Sequence, residues 1–539
     1  MLRGSAALLA HGLVAPCHNW DATFERWTLC VREKGNTGLR RRCLWYYALM
    51  RIQFCGADRT VTGSCHLVEV NGLRIFLDAG LYQGPREEAN RLNHFLPDDI
   101  KSADAIILSH GHLDHCGKLP VFTRAGFTGP IYCTPATAEV ARVIMMDAAK
   151  IQEEDVDYLN RRTRDPDQEK IEPLYRSSDV PAVLQQFKRV QYGQKVDLGG
   201  GVSFTFYDAG HILGSAYVVL QWNEGGKDRS LLFTADVGRY NTPIIRDPQT
   251  LSGPFDQVIT ESTYGNSLHG PMEEVEPELL DAVNQCIRGR GRLLIPSFAM
   301  GRTQTILWYM QKFISEKKIP PIPIFVDSPM GAELTRIHGE FRENYDEQTR
   351  AMIGEKDLFG LSRVTLAASS QDSIKINSQA GPCVIIASSP TCEFGRILHH
   401  LKVSLERPND MVLFVGWVPP QTLGRRLQES QSRVRVFDQW YDVKCQVKTI
   451  HGLSAHADSD ELLRFLQPTT GPQTTAFVVH GEEAQAETLA RRLVAKGMGR
   501  VVVPAMESSE VCFYAKDEPL TAGSRGGAAD AGVKKTDND

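Results

Sequence analysis

The stretch Ala105-Ile106-Ile107-Leu108-Ser109-His110-Gly111-His112-Leu113-Asp114-His115 decides how the rest of the chain is read. Its opening apolar run predicts a buried strand. The loop that follows carries three histidines and a carboxylate at the strand's carboxyl end, where open α/β folds keep their chemistry. Imidazole and carboxylate together suit zinc, manganese or iron. Alternate spacing on a tight loop lets His110 and His112 reach one ion while Asp114 and His115 turn to another. A polar loop assembled by chance would have to gather all four ligand-type residues at one strand end, so the stretch reads as a metal site.

Outward from that loop, the chain has 539 residues, enough for two or three domains with sizeable cores. No apolar run approaches the roughly 20 residues of a membrane span, so no membrane partner is expected. A net charge of −5 announces no nucleic-acid partner globally, and any such partner must meet a local basic patch. The 12 cysteines have no paired spacing, and Cys55, Cys133 and Cys383 fall in apolar runs. They read as small buried hydrophobes in a reducing, cytoplasmic compartment. Residues 1–49 differ in texture and read as an extension, non-native or disordered, with Met50 as the natural first residue. Residues 516–539 are rich in small and charged residues and are expected to be disordered.

Cys65 to Val70 and Leu73 to Asp78 alternate around Asn71-Gly72, a strong hairpin signal. A strand at Pro130 to Cys133 leads through Thr134-Pro135 into a helix towards Gln152. Strands recur at 202–207, 216–221, 231–234 and 257–260, which suggests two sheets between helices, an αββα sandwich. From about Ser262 the texture becomes strand–helix alternation, a doubly wound module of roughly 150 residues. Strands near 434–437, 446–450, 476–479 and 501–503 and a helix at 482–495 follow it. The division expected is 50–263 and 416–515 for the two parts of the first domain and 264–415 for the inserted one.

A pair of ions about 3.5–4 Å apart needs more ligands than one loop offers. His211, Asp236 and His456 each follow a predicted strand and have the right chemistry. With His110, His112, Asp114 and His115 they make seven ligands, which leaves an open position at each ion. Asp78, ending its strand before Ala79-Gly80, reads as a carboxylate that orients a ligand histidine.

These motifs resemble a known family. Ser109 to His115, with Asp78, His211 and Asp236 in order, is similar to the metallo-β-lactamase fold. Glu261-Ser262-Thr263-Tyr264-Gly265, the run Ile295 to Gln304 and Ser454-Ala455-His456-Ala457-Asp458 resemble its β-CASP branch, which contains nucleases acting on RNA and DNA. The resemblance covers about residues 50–515 and implies that the 264–415 module is the β-CASP cap inserted into the lactamase-like domain. It further implies two zinc ions (Zn2+), one held by His110, His112 and His211, the other by Asp114, His115 and His456, with Asp236 bridging. Asp114, Glu261 and Asp78 are the expected catalytic residues.

The implied activity is zinc-dependent hydrolysis of phosphodiester bonds in single-stranded RNA, by internal cutting. Arg302, Ser389, Arg396 and Arg425 are the expected RNA contacts, and Lys312, Lys317, Lys318 and Arg336 are further candidates for phosphates. A homodimer is an assembly left open. Two departures bear on leaving-group protonation: relatives place a histidine where Arg426 stands, or near Phe437, and this chain has none there. Two other classes of function remain open, a catalytically silent RNA-binding scaffold and a small-ester metallo-hydrolase.

Overall fold

The computed structural model describes residues 26–35, 38–47, 50–97, 100–162, 170–353, 358–367, 369–416, 418–506 and 508–512. Met50–Glu510 is one compact unit. Outside it, Arg26–Gly35 and Gly38–Tyr47 pair as an antiparallel hairpin. The rest of the expected extension, and the tail from 516, lie outside the described residues.

Within the compact unit two sheets face each other. One runs from Met50–Gly56 through Cys65–Val70, Leu73–Leu77, Ala105–Ile107 and Ile131–Cys133 to Phe187–Arg189. Asn71 and Gly72 take φ of 49° and 84°, as a two-residue hairpin turn of this hand requires. The second sheet runs Arg500–Val502, Thr475–Val478, Gln257–Thr260, Lys227–Phe233, Ala216–Glu224, Val202–Asp208 and Lys195–Gly199. Aromatic side chains join the inner faces: Phe54 meets Phe477 and Tyr132 meets Phe204, with ring centroids 5.3 and 5.2 Å apart. The helix Pro135–Arg162 covers the outer face of the first sheet, where Ala138, Ala141 and Met145 pack with Ile106 and Ile131. The helices Ser459–Leu466 and Glu483–Ala495 cover the second through Leu462, Phe465 and Leu489. This is the expected αββα sandwich. Each buried aliphatic or aromatic side chain contributes roughly 1.5–3 kcal/mol of burial free energy.

The inserted module is a six-stranded, wholly parallel sheet. Its order is Val364–Leu366, Ile324–Asp327, Cys383–Ala387, Arg292–Pro296, Met411–Phe414, Gln446–Thr449. Helices lie on both faces, so the central strands are buried on both sides and read as continuous apolar runs. Gln446–Thr449 lies beyond the boundary drawn at 415, yet it pairs in parallel with Met411–Phe414 and belongs to the cap sheet.

Candidate metal centre

Several strands deliver their carboxyl ends to one place. Val202–Asp208 and Lys227–Phe233 both run antiparallel to Ala216–Glu224, and Gln257–Thr260 and Thr475–Val478 continue in parallel from Lys227–Phe233. All four therefore point the same way, and the residues just past their ends are His211, Asp236, Glu261 and His480. From the facing sheet, Leu73–Leu77 ends at Asp78, and Ala105–Ile107 leads to the His110–His115 loop. Gly111 is needed between the first two histidines, because a Cβ there would come within 2.5 Å of Val140 Cγ1.

The side chains form three touching groups: His110, His112, His211 and Asp236; Asp114, His115 and His480; and Asp236, Glu261 and His456. In the first, His112 Nδ1 lies 3.1 Å from His110 Nε2 and 3.2 Å from His211 Nε2. In the second, His115 Nε2 lies 3.2 Å from His480 Nε2, and His480 Nε2 is 3.5 Å from Asp114. Asp236 joins the two: one carboxylate oxygen is 3.4 Å from both His110 and His211, the other 3.3 Å from His115 and 3.6 Å from His480. The oxygen facing His115 is buried and has no hydrogen-bond donor among the described residues.

Each of four rings is held by its outer nitrogen. His110 Nδ1 meets Ser109 Oγ at 3.0 Å, His211 Nδ1 meets the Ala455 carbonyl at 3.1 Å, and His480 Nδ1 meets Thr263 Oγ1 at 3.2 Å. His115 Nδ1 meets Asp78 at 2.7 Å, and Asp78 also accepts from the Ser109 amide and from the Ser64 and Ser109 hydroxyls. The arrangement fixes ring orientation and leaves the inner nitrogens aimed at shared points, as metal-ligating histidines require. Three imidazole nitrogens converging in one group and two with a carboxylate in the next, beside an orphaned carboxylate oxygen, fit cations and little else.

Electrostatics divides the ligands. Burial drives His110 down, His211 well down and His112 to about 3, so all three are neutral imidazoles. Burial also opposes charge on His115 and His480, but Asp236 outweighs it for both, helped by Asp78 for His115 and by Asp114 for His480, and both are raised. Asp114 and Asp236 are held low, despite burial, by His480 and His115.

Of the residues expected from sequence, His110, His112, Asp114, His115, His211 and Asp236 come together. His456 does not take the expected place beside Asp114 and His115; His480 stands there. His456 Nδ1 instead lies 3.3 Å from Glu261 and 3.9 Å from Asp236. Glu261 is itself anchored by the amides of Val237 and Thr263. His480 follows Thr475–Val478 by two residues, the same strand-end signal that marked the other ligands.

The expected RNA contacts scatter. Arg302 opens the helix Arg302–Ser315, half-buried against Gly416, with Tyr264 as its charge neighbour and no carboxylate partner among the described residues; burial lowers it to about 10. Ser389 is buried and shares a 2.7 Å hydrogen bond with Thr391. Arg396 is tied to Asp327, Arg425 to Glu429 and Arg336 to Glu333. Lys312 and Lys318 bind Glu276, and with Lys317 they lie towards the opposite end of the helix from Arg302, up to roughly 20 Å along its axis. Arg426 faces Glu393, and Phe437 packs on His399.

Comparisons with known proteins agree with this architecture. The Metallo-beta-lactamase superfamily domain matches residues 67–236, the Beta-Casp domain 303–427 and the Zn-dependent metallo-hydrolase RNA specificity domain 440–504. Ribonuclease TTHA0252 of Thermus thermophilus is 33% identical over 83% of this chain and 97% of its own length. Transcription termination factor FttA of Methanocaldococcus jannaschii is 30% identical over 83% of this chain and 70% of its own. An RNase J-like protein of the same archaeon is 26% identical over 82% and 95%. The chain therefore belongs to the β-CASP family of metallo-β-lactamase hydrolases.

Proposed function

We propose that the protein is a two-zinc ribonuclease that cuts single-stranded RNA internally. The observation that carries this reading is the sharing of Asp236 between two histidine groups. His110, His112, His211 and Asp236 would hold one ion, and Asp114, His115, His480 and Asp236 the other, an imidazole-rich set that suits zinc. When bound, the pair supplies a water acidified to near neutrality and positive charge for the phosphate oxygens.

The protein's own groups do the rest. Asp78 holds His115 in the tautomer that presents Nε2 inward. Glu261 likewise fixes Nδ1 of His456, leaving Nε2 to hand a proton to the departing oxygen. Burial opposes a charge on His456, but Glu261 and Asp236 raise it to about 9, so it carries that proton at neutral pH. A neighbouring acid of this kind answers the absence of histidines at 426 and 437. Arg302 has no carboxylate to neutralise it among the described residues and is placed to receive a backbone phosphate.

RNA as the substrate rests on the names of the relatives and on the RNA specificity domain match. The test is end-labelled single-stranded RNA incubated with the protein, with and without chelator. Internal fragments that vanish with chelator and with His112→Ala are expected; binding without cutting would favour the scaffold reading, and no binding the small-ester one.

A further inference from the structure

The cap presents two phenylalanines to solvent at the edge nearest the metal centre. In the run 291–300 every residue is buried except Phe298, which is 59% exposed. Phe394, on the loop after the adjacent strand, is 63% exposed. The strands Arg292–Pro296 and Cys383–Ala387 pair in parallel with Pro296 opposite Ala387, so both loops leave the sheet at the same level. That level is the carboxyl edge, where doubly wound sheets bind ligands.

Neither ring is held out by slack backbone. The Phe298 carbonyl accepts hydrogen bonds from Thr303 Oγ1 at 2.7 Å and Ser297 Oγ at 3.1 Å, and the Ser297 amide bonds Ala387 at 3.0 Å. On the other loop, the Ile397 amide bonds Ser388 and the Cys392 amide bonds Ser389, and Glu393 accepts from the Leu423 amide. Just past Phe298, Ala299 and Met300 pack with Ile212 and Leu213, the residues directly after His211. Gly301 and Arg302 share a cavity with His211 and Ser454. One short loop thus connects an exposed phenyl ring to a ligand loop and to a guanidinium that lacks a carboxylate partner.

We infer that Phe298 and Phe394 are stacking platforms for two unpaired nucleobases on the cap side of the phosphate to be cut, with Arg302 taking the backbone between those bases and the metal centre. This rests on the ribonuclease reading above. A phenyl face accepts any base, so the platform selects for strandedness and not for sequence. A base must leave its partner to lie on the ring, which is why a duplex gains nothing from it.

Fluorescent oligouridine and a matched strand of abasic residues would be titrated, in chelator, with wild-type protein and with Phe298→Ala, Phe394→Ala and Phe298→Tyr. Each alanine variant should weaken oligouridine binding roughly 5- to 100-fold. Phe298→Tyr should bind it as wild type does, and all proteins should bind the abasic strand alike. Unchanged melting temperature and metal content exclude misfolding. If wild type cuts RNA and both alanine variants bind oligouridine with its affinity, the stacking inference falls while the ribonuclease reading stands. Equal losses on the abasic strand would also overturn it. Failure of wild type to bind or cut any RNA removes the ribonuclease reading, and this inference with it.

Discussion

Two buried aspartates, each in contact with histidine and each at a strand's carboxyl end, behave as opposites. In the cap, Asp327 receives Ser373 Oγ at 2.5 Å, Arg396 Nη1 at 2.6 Å and His400 Nε2 at 2.7 Å, while His400 Nδ1 meets Asn377 at 2.8 Å. Both oxygens have donors and the ring has a partner on each nitrogen. In the sandwich, Asp236 keeps an oxygen with no donor among the described residues, and the surrounding rings point nitrogens at one another. Asp327 has one histidine beside an arginine and a serine, where Asp236 has five histidines. What separates them is satisfaction: a closed network is structural, and one left open inward is a receptacle for cations.

The largest break in the comparison should come from His480→Ala. It removes a ligand that only the structure supplied, so bound metal should fall from two equivalents to one and RNA cutting should vanish, with the melting temperature of the metal-free protein little changed. Elemental analysis beside a cleavage assay checks this. If cutting survives while His456→Ala loses metal, the seats of the two histidines are reversed. His456→Ala should itself keep both ions and lose about 10²- to 10⁴-fold in rate, the span of general acid catalysis.

The cap aspartate should answer in a different currency. Asp327→Asn leaves Arg396 and His400 facing a neutral amide, and breaking a buried ion pair costs about 3–5 kcal/mol. Denaturant unfolding should register that loss with metal content unaltered. Burial pushes the Asp327 carboxyl up, but hydrogen bonds from His400, Ser373 and Arg396 outweigh it and hold the group low. A depressed carboxylate stabilises the fold above the ordinary value near 3.9. That stabilisation is lost as pH falls through the lower folded value. Wild type should therefore show an acid-side loss, below about pH 4, that Asp327→Asn lacks.

Why the sequence led to six of the proposed ligands and not the seventh is a matter of which sheet owns a strand. The loop 109–115 and the ends after 202–208 and 227–233 are legible because an apolar run stops and a ligand-type residue follows at once. The same rule applied to Thr475–Val478 points to His480. The Ser454–Asp458 motif drew attention to His456 instead, because Gln446–Thr449 read as a strand of the sandwich. That strand pairs with Met411–Phe414 in the cap, so His456 arrives from the cap side and meets Glu261. Pairing between strands far apart in sequence is a tertiary fact that local periodicity does not carry. The arginines carry the same lesson: Arg396 and Arg425 are cations in the sequence but paired cations in the fold.

The smallest and most discriminating effect is the proton traffic of metal uptake. His115 and His480 are raised by Asp236 against burial, and His480 against His115 as well, so in the metal-free protein the pair retains added proton above the ordinary histidine value of about 6.5. Their contacts with Asp236 stabilise the metal-free fold fully below that value, and the contribution fades as pH rises through the raised ones. A divalent ion must displace those protons, while His110, His112 and His211 have none to give. Apparent affinity at the Asp114, His115 and His480 seat should thus climb up to about tenfold per pH unit for each proton released. The other seat should be nearly flat over the same range. Calorimetry of zinc binding in buffers of different ionisation enthalpy reads this directly, as net protons released per ion. Two seats of equal proton release would mean that the asymmetry set by Asp78 and Asp114 does not govern loading, and the open cluster would then differ from the closed one only in having room.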